Sequence, residues 1–199
     1  EDIHKSGRHL LSMINDILDL SRIEAGEMPI ERKFEPLGPL VDDSIAMIAP
    51  LAGSSRVALE RDPSLSEHEI ACDAVRLRQM LINLLSNAVK FTLPGGRVGI
   101  DLAREDEGAA LIIRDTGIGM SEQEIEDAMR PFGQVASHKT VKHVGSGLGL
   151  TLTRALAELQ GFSFRIKSEP DKGTTAIISF PENAIRPLRQ VDMFHTGAR

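Results

Sequence analysis

Leu77, Leu81, Leu84, Leu85 and Ala88 recur at three- and four-residue intervals between residues 73 and 91, which predicts a helix with one apolar face. At about 3.6 residues per turn, Asn83, Asn87 and Lys90 fall together on its other side. A second helical pattern over residues 147–160 sends Leu148, Leu152, Ala155, Leu156 and Leu159 inward and stops at Gly161. Residues 3–25 repeat that period, with Ile3, Leu10, Ile14, Ile17 and Leu18 on a broad apolar stripe. Elsewhere the period shortens to two. Val98, Ile100 and Leu102 alternate with Arg97, Gly99 and Asp101, and the triplets Phe162, Phe164, Ile166 and Ala176, Ile178, Phe180 do the same; these predict half-buried strands. Residues 110–114 form a short apolar run that reads as another strand.

The remaining segments fill in the order. Residues 40–51 read as a helix, residues 56–60 and 68–72 as short strands, and Asp73 as the N-cap of the asparagine-bearing helix. Ser121 and Glu124 have capping-box spacing. Prolines 29, 36 and 39 with Gly38 mark residues 27–39 as a connector. The expected organisation is one long amino-terminal helix over residues 1–27 and a single domain over residues 28–182. A tail of weak periodicity and loose order follows over residues 183–199. The domain is expected to be an α/β two-layer sandwich, with helices covering one face of a mixed sheet.

Composition narrows the function classes without choosing among them. The 199 residues are 41% hydrophobic and 26% charged, with net charge −6, enough for one good core. A basic footprint for general nucleic-acid binding is missing. Cys72 is the sole cysteine, so no internal disulfide forms, and it reads as a buried apolar thiol. No apolar run reaches membrane-spanning length and no signal peptide is visible, so a cytoplasmic setting is expected, with any membrane anchor of an intact protein lying upstream.

Three segments carry candidate chemistry. Asn83, Asn87 and Lys90 put amide oxygens beside an ammonium, a combination suited to a magnesium-bridged polyphosphate, although the same residues fit a solvated helix face. Asp115 ends a strand before Thr116-Gly117-Ile118-Gly119, where a carboxylate can accept a hydrogen bond from an exocyclic amine and the glycines permit close backbone approach or positive φ. Alone, that segment is also a simple tight turn. Gly145-Ser146-Gly147-Leu148-Gly149-Leu150 enters the second helix and exposes backbone N–H groups that attract phosphate. Its alternating glycines do not follow a buried strand, so it is not a dinucleotide fingerprint, and no P-loop motif occurs anywhere.

In this order and spacing, the segments resemble the catalytic and ATP-binding part of sensor histidine kinases, in the superfamily shared with gyrase, the Hsp90 chaperones and MutL. Residues 83–92 resemble the N box, 115–120 the first glycine box, 131–134 the F box, 145–150 the second glycine box, and 173–175 the last threonine-containing turn. The resemblance implies the Bergerat ATP-binding fold, with ATP and Mg²⁺ as cofactors. It implies that Asn87 coordinates Mg²⁺ with Asn83 beside it, that Lys90 meets phosphate, and that Phe91 borders the nucleotide. Asp115 is implied to bind the adenine amine. Gly117, Gly119, Gly145, Gly147 and Gly149 would shape the pocket and its lid, to which Leu148, Thr174, Phe132 and Lys142 are also assigned. Hydrolysing members of the superfamily carry a glutamate where this chain has Asn83, and an amide cannot serve as general base. Phosphoryl transfer to another acceptor is therefore expected over hydrolysis. The F box departs from the usual pattern, with Met129 and Arg130 before Pro131 and Phe132.

The helix over residues 3–25, ending Ser21-Arg22-Ile23-Glu24-Ala25-Gly26, resembles the second helix of the family's dimerisation hairpin. That implies a homodimer through a four-helix bundle and a response regulator receiver domain as downstream partner. The family's acceptor motif, a histidine followed by an acid, then a basic residue, a threonine and a proline, does not occur: His4 precedes Lys5 and Ser6, and His9 precedes Leu10 and Leu11. The chain is therefore expected to bind ATP without phosphorylating itself. A serine or threonine kinase of the same superfamily and a non-catalytic nucleotide-sensing or scaffold module remain as alternatives.

Overall fold

The computed structural model of the chain describes residues 2–133 and 146–188. Helix α1, Asp2–Glu24, leads into strand β1, Lys33–Pro36, and then helix α2, Leu37–Ser55. Strands β2, Ala58–Arg61, and β3, His68–Cys72, precede the asparagine-bearing helix α3, Ala74–Phe91. Next come β4, Arg97–Glu105, β5, Gly108–Asp115, and the short helix α4, Glu122–Ala128. Helix α5, Gly149–Leu159, then feeds β6, Ser163–Glu169, β7, Gly173–Pro181, and β8, Ile185–Pro187.

The main sheet has the order β2-β4-β5-β7-β6 and is mixed: β2 runs parallel to β4, and the other pairs are antiparallel. Leu77, Leu81 and Leu85 of α3, with Leu152 and Leu156 of α5, bury against Ile100, Leu111 and Ile178 of this sheet. Phe162 and Phe180 close the core edge-on at 4.9 Å. The outward residues Ser163, Arg165 and Lys167 are exposed. This is the expected two-layer arrangement, helices over one face of a mixed sheet.

Three expectations need correction. Helix α2 begins at Leu37 rather than residue 40, because Pro39 falls in its first turn, where a missing N–H costs no helical bond. Residues 183–188 are not a loose tail: Ala184 is buried, and β8 pairs with β3 to complete a separate three-stranded sheet, β1-β3-β8. Arg186 pins that edge by pairing with Glu69 at 2.8 Å and lying 3.6 Å over the Phe34 ring. Finally, α5 starts at Gly149, two residues later than its pattern predicts, since Gly147 has φ 70°.

Candidate functional site

One cleft of about 420 Å³ lies between α3, α5, the loop after β5 and the sheet. Helix α3 supplies one wall. Asp73 caps it by accepting from the N–H groups of Val75 and Arg76, and burial of its leucines fixes which side faces the cleft. Asn83, Asn87, Lys90 and Phe91 all line it. The Asn83 Nδ2 atom is buried and, among the described residues, has no hydrogen-bond partner. A buried donor left this way costs roughly 1–3 kcal/mol, so it points to a polar ligand as its partner. Burial holds the Lys90 ammonium below its ordinary pKa, and no carboxylate among the described residues forms an ion pair with it. An anion entering the cleft relieves both costs.

Asp115 supplies the opposite wall. It is the last residue of β5 and is buried, and a single oxygen, Oδ1, accepts from Gly117 N at 2.8 Å and Thr174 N at 3.1 Å. Burial raises the carboxyl pKa against the opposing pull of those two bonds. The loop that follows is held from both sides: Ile118 N donates to Phe91 O at 3.1 Å, and Asp171 N donates to Ile118 O at 2.7 Å. A Cβ on Gly117 would stand 2.3 Å from Phe91 O, and one on Gly119 would stand 1.9 Å from Glu169 O. Gly119 also has φ 65°; Gly117 does not need positive φ, only the space. Around Asp115 the lining is apolar, with Ile113, Ile118, Met120, Ile166 and Ala176, the usual character of a small-molecule pocket with few polar groups.

The structure brings Asn83, Asn87, Lys90, Phe91, Asp115, Gly119, Gly147, Gly149 and Thr174 to one cleft. It does not bring Phe132 there. That ring is 63% exposed, its residue has φ 61°, and its backbone instead lies against Gly147. Leu148 is buried behind the cleft and Gly117 shapes the loop without lining it. Lys142, Gly145 and Gln134 lie outside the described residues.

Sequence reasoning missed two contributions. Ser168 accepts from Met120 N at 2.8 Å, donates to Gly173 O at 2.9 Å and shares a 2.9 Å bond with the Thr174 hydroxyl, tying both site loops together. Its position in register with Phe164 and Ile166 was the available signal. Ser12 and Asp16 of α1 also line the cleft, and only the polar face of that helix hinted at them.

Residues 72–184 match the family described as "Histidine kinase-, DNA gyrase B-, and HSP90-like ATPase". The cell-division control histidine kinases PdhS of Brucella suis and Brucella abortus are 38% identical over 193 residues, 92% of this chain and 19% of theirs. The chain thus spans about a fifth of the length of these curated relatives. Full-length ShkA, solved in complex with AMPPNP, superposes with a TM-score of 0.79 at 27% identity, over 92% of this chain and 38% of that one. The Acinetobacter baumannii histidine kinase AdeS shares the fold, with a TM-score of 0.76 at 19% identity, over 92% of this chain and 83% of that one. The chain belongs to the histidine kinase-, DNA gyrase B- and HSP90-like ATPase family. ATP is accordingly its nucleotide.

Proposed function

We propose that this domain binds ATP with Mg²⁺ and passes the γ-phosphoryl group to a histidine on a helical hairpin, for relay to an aspartate of a response regulator. The observation that carries this reading is the pairing, across one cleft, of the buried Asp115 carboxylate with the row Asn83, Asn87 and Lys90. Asp115 would accept from the adenine amine, and the apolar slot around it would hold the ring. Lys90 would meet phosphate as a point charge. Among the described residues no cluster of three His, Cys, Asp or Glu is present. The donor set still fits Mg²⁺, which binds in such sites through few protein oxygens, waters and substrate phosphates. The Asn87 amide oxygen is the proposed ligand, with Asn83 beside it. When bound, the ion neutralises charge on the phosphates.

The chain's own residues act by position. Asn83 carries an amide that cannot take a proton from water, which disfavours hydrolysis and leaves the phosphoryl group for another acceptor. The N–H groups at the start of α5, behind Gly147 and Gly149, are placed to hold phosphate oxygens. The exposed apolar stripe of α1 is proposed to be covered by a second copy, giving a homodimer.

The test supplies γ-labelled ATP and Mg²⁺ to this chain, with and without a separate hairpin bearing the family's acceptor histidine. Acid-labile label on the hairpin, lost with Asn87→Ala, is expected. Nucleotide binding with no transfer under any condition overturns the kinase reading.

A further inference from the structure

Asp115, Thr174 and Ser168 stand in one row across three strands. Ser168 faces Thr174 in the β6–β7 register, and Thr174 comes one step beyond the last β5–β7 pair, Arg114 with Thr175, beside Asp115. Two residues away along each strand are Ile113, Ala176 and Ile166, which line the cleft together with Asp115 and Thr174. Strand alternation therefore puts the whole row on the helix-covered face of the sheet. Ser168 is half-buried at its end, between the exposed Lys167 and Glu169.

The Ser168 hydroxyl is fully engaged. A serine hydroxyl has one proton to donate and two lone pairs with which to accept. Its proton goes to Gly173 O at 2.9 Å, and one lone pair takes the Met120 N–H at 2.8 Å. What remains is the 2.9 Å contact with Thr174 Oγ1. With no second proton on Ser168, that bond runs one way: the Thr174 hydroxyl donates and Ser168 accepts. The Thr174 oxygen keeps only lone pairs for anything else it meets. Its backbone N–H is engaged too, donating to Asp115 Oδ1 at 3.1 Å. Thr174 thus faces a ligand as an acceptor, next to a carboxylate that is also an acceptor.

We infer that Ser168 is a positioning residue for base selection: by holding the Thr174 proton, it makes Asp115 and Thr174 a pair of acceptors that takes a 6-amino purine and rejects a 6-oxo purine. This rests on reading the cleft as the nucleotide site and deepens it, since Ser168 acts through Thr174 and is not itself part of the lining. The amino group brings N–H donors to the pair. A 6-oxo group puts a carbonyl oxygen in the same place, and a site built of hydrogen-bonding groups discriminates by leaving them unpaired. Without the Ser168 oxygen, the Thr174 hydroxyl is free to turn and donate to that carbonyl.

The experiment titrates ATP and inosine triphosphate, each with Mg²⁺, into this chain by calorimetry and reads the ratio of the two affinities. The unaltered chain is expected to prefer ATP. Ser168→Ala is expected to narrow that ratio about tenfold, the scale of one hydrogen bond regained, by favouring the inosine nucleotide relative to ATP. In the background of Thr174→Val, which has no hydroxyl to turn, Ser168→Ala is expected to leave the ratio within about twofold. Thr174→Val alone decides the question should Ser168→Ala not fold: losing an acceptor narrows the ratio, whereas losing a donor widens it. Equal weakening of both nucleotides by Ser168→Ala makes Ser168 merely structural and overturns the inference. So does a ratio that Thr174→Val widens or leaves unmoved, or an unaltered chain that binds both nucleotides equally; these outcomes leave the site reading intact. Failure of the unaltered chain to bind ATP overturns the site reading and the inference with it.

Discussion

Asp115 does two things with one side chain. Its Oδ1 organises the protein, by tying Gly117 and Thr174 together, and the proposed task of the carboxylate is to take the adenine amine. Asparagine keeps an oxygen for the first task, so Asp115→Asn is expected to leave thermal stability at neutral pH nearly unchanged. It is expected to weaken ATP binding by ~1.5–3 kcal/mol, the usual scale of a charge-assisted hydrogen bond, as read by calorimetry. Burial raises the folded pKa of this carboxyl above the ordinary aspartate value of 3.8. Its contribution to stability is therefore complete below 3.8 and lost as pH rises through the folded value. Binding runs the other way, because protonation removes the acceptor. ATP affinity should fall on acidification at a pH above the ordinary aspartate range, and Asp115→Asn should flatten that fall. The glycines divide similarly by physical role. A methyl on Gly119 would sit 1.9 Å from Glu169 O at φ 65°, so Gly119→Ala is expected to cost ~1–3 kcal/mol in denaturant titrations. A methyl on Gly149 meets nothing closer than the Asn83 amide at 3.8 Å. Gly149→Ala should keep or raise stability by ~0.5–1 kcal/mol while weakening nucleotide binding; equal losses in both would assign Gly149 to the fold instead.

At the scale of elements, the first turn of α3 is the joint on which the site depends. Asp73 caps the helix, its Oδ2 accepts from Glu31 N at 3.2 Å, and its own N–H donates to Gln160 Oε1 at 2.7 Å. Gln160 is fully buried at the end of α5 and accepts from Arg32 through its backbone oxygen. Two helices and the strand entering the small sheet thus share one polar knot. Asp73→Ala is expected to cost ~1–2 kcal/mol, the upper range for an N-cap, measured by thermal unfolding; a loss confined to nucleotide affinity would place Asp73 in the site rather than the joint. The helices α3 and α5 were legible in the sequence because an apolar period persists for three turns or more. The small sheet was not: β8 has three residues and no period of its own, and its strand character comes from β3 across the gap. The start of α2 was hidden because prolines and a glycine that suggest a connector are tolerated in a first turn. In the cleft, the residues on α3 and at the end of β5 were readable because helix spacing and a strand end dictate where they point. The Phe132 ring was not, since a local motif does not reveal that its backbone turns the ring outward. Nor was the α1 wall, which exists only through tertiary packing.

For the molecule as a whole, α1 decides what the domain is attached to. One face is committed to the domain by Asp19, whose Oδ2 accepts from Gln79 Nε2 of α3 at 2.9 Å; the other presents Leu10, Leu11, Ile14, Ile17 and Leu18 at 41–59% exposure in a continuous stripe. Leaving such a stripe in water forgoes on the order of 25 cal/mol for each Å² of apolar area, and a helix patterned this way gains most from a like helix packed alongside. The faces are separate, so self-association and nucleotide binding should be separable as well. Sedimentation at increasing concentration is expected to show reversible dimerisation of the chain. The pair Leu11→Glu and Leu18→Glu, which charges both ends of the exposed stripe, is expected to yield a monomer with unchanged affinity for ATP and Mg²⁺. A chain that stays monomeric at every concentration would refute the dimer proposal. Loss of ATP binding along with dimerisation would show that the second copy completes the cleft, and would make α1 a shared wall rather than a private one.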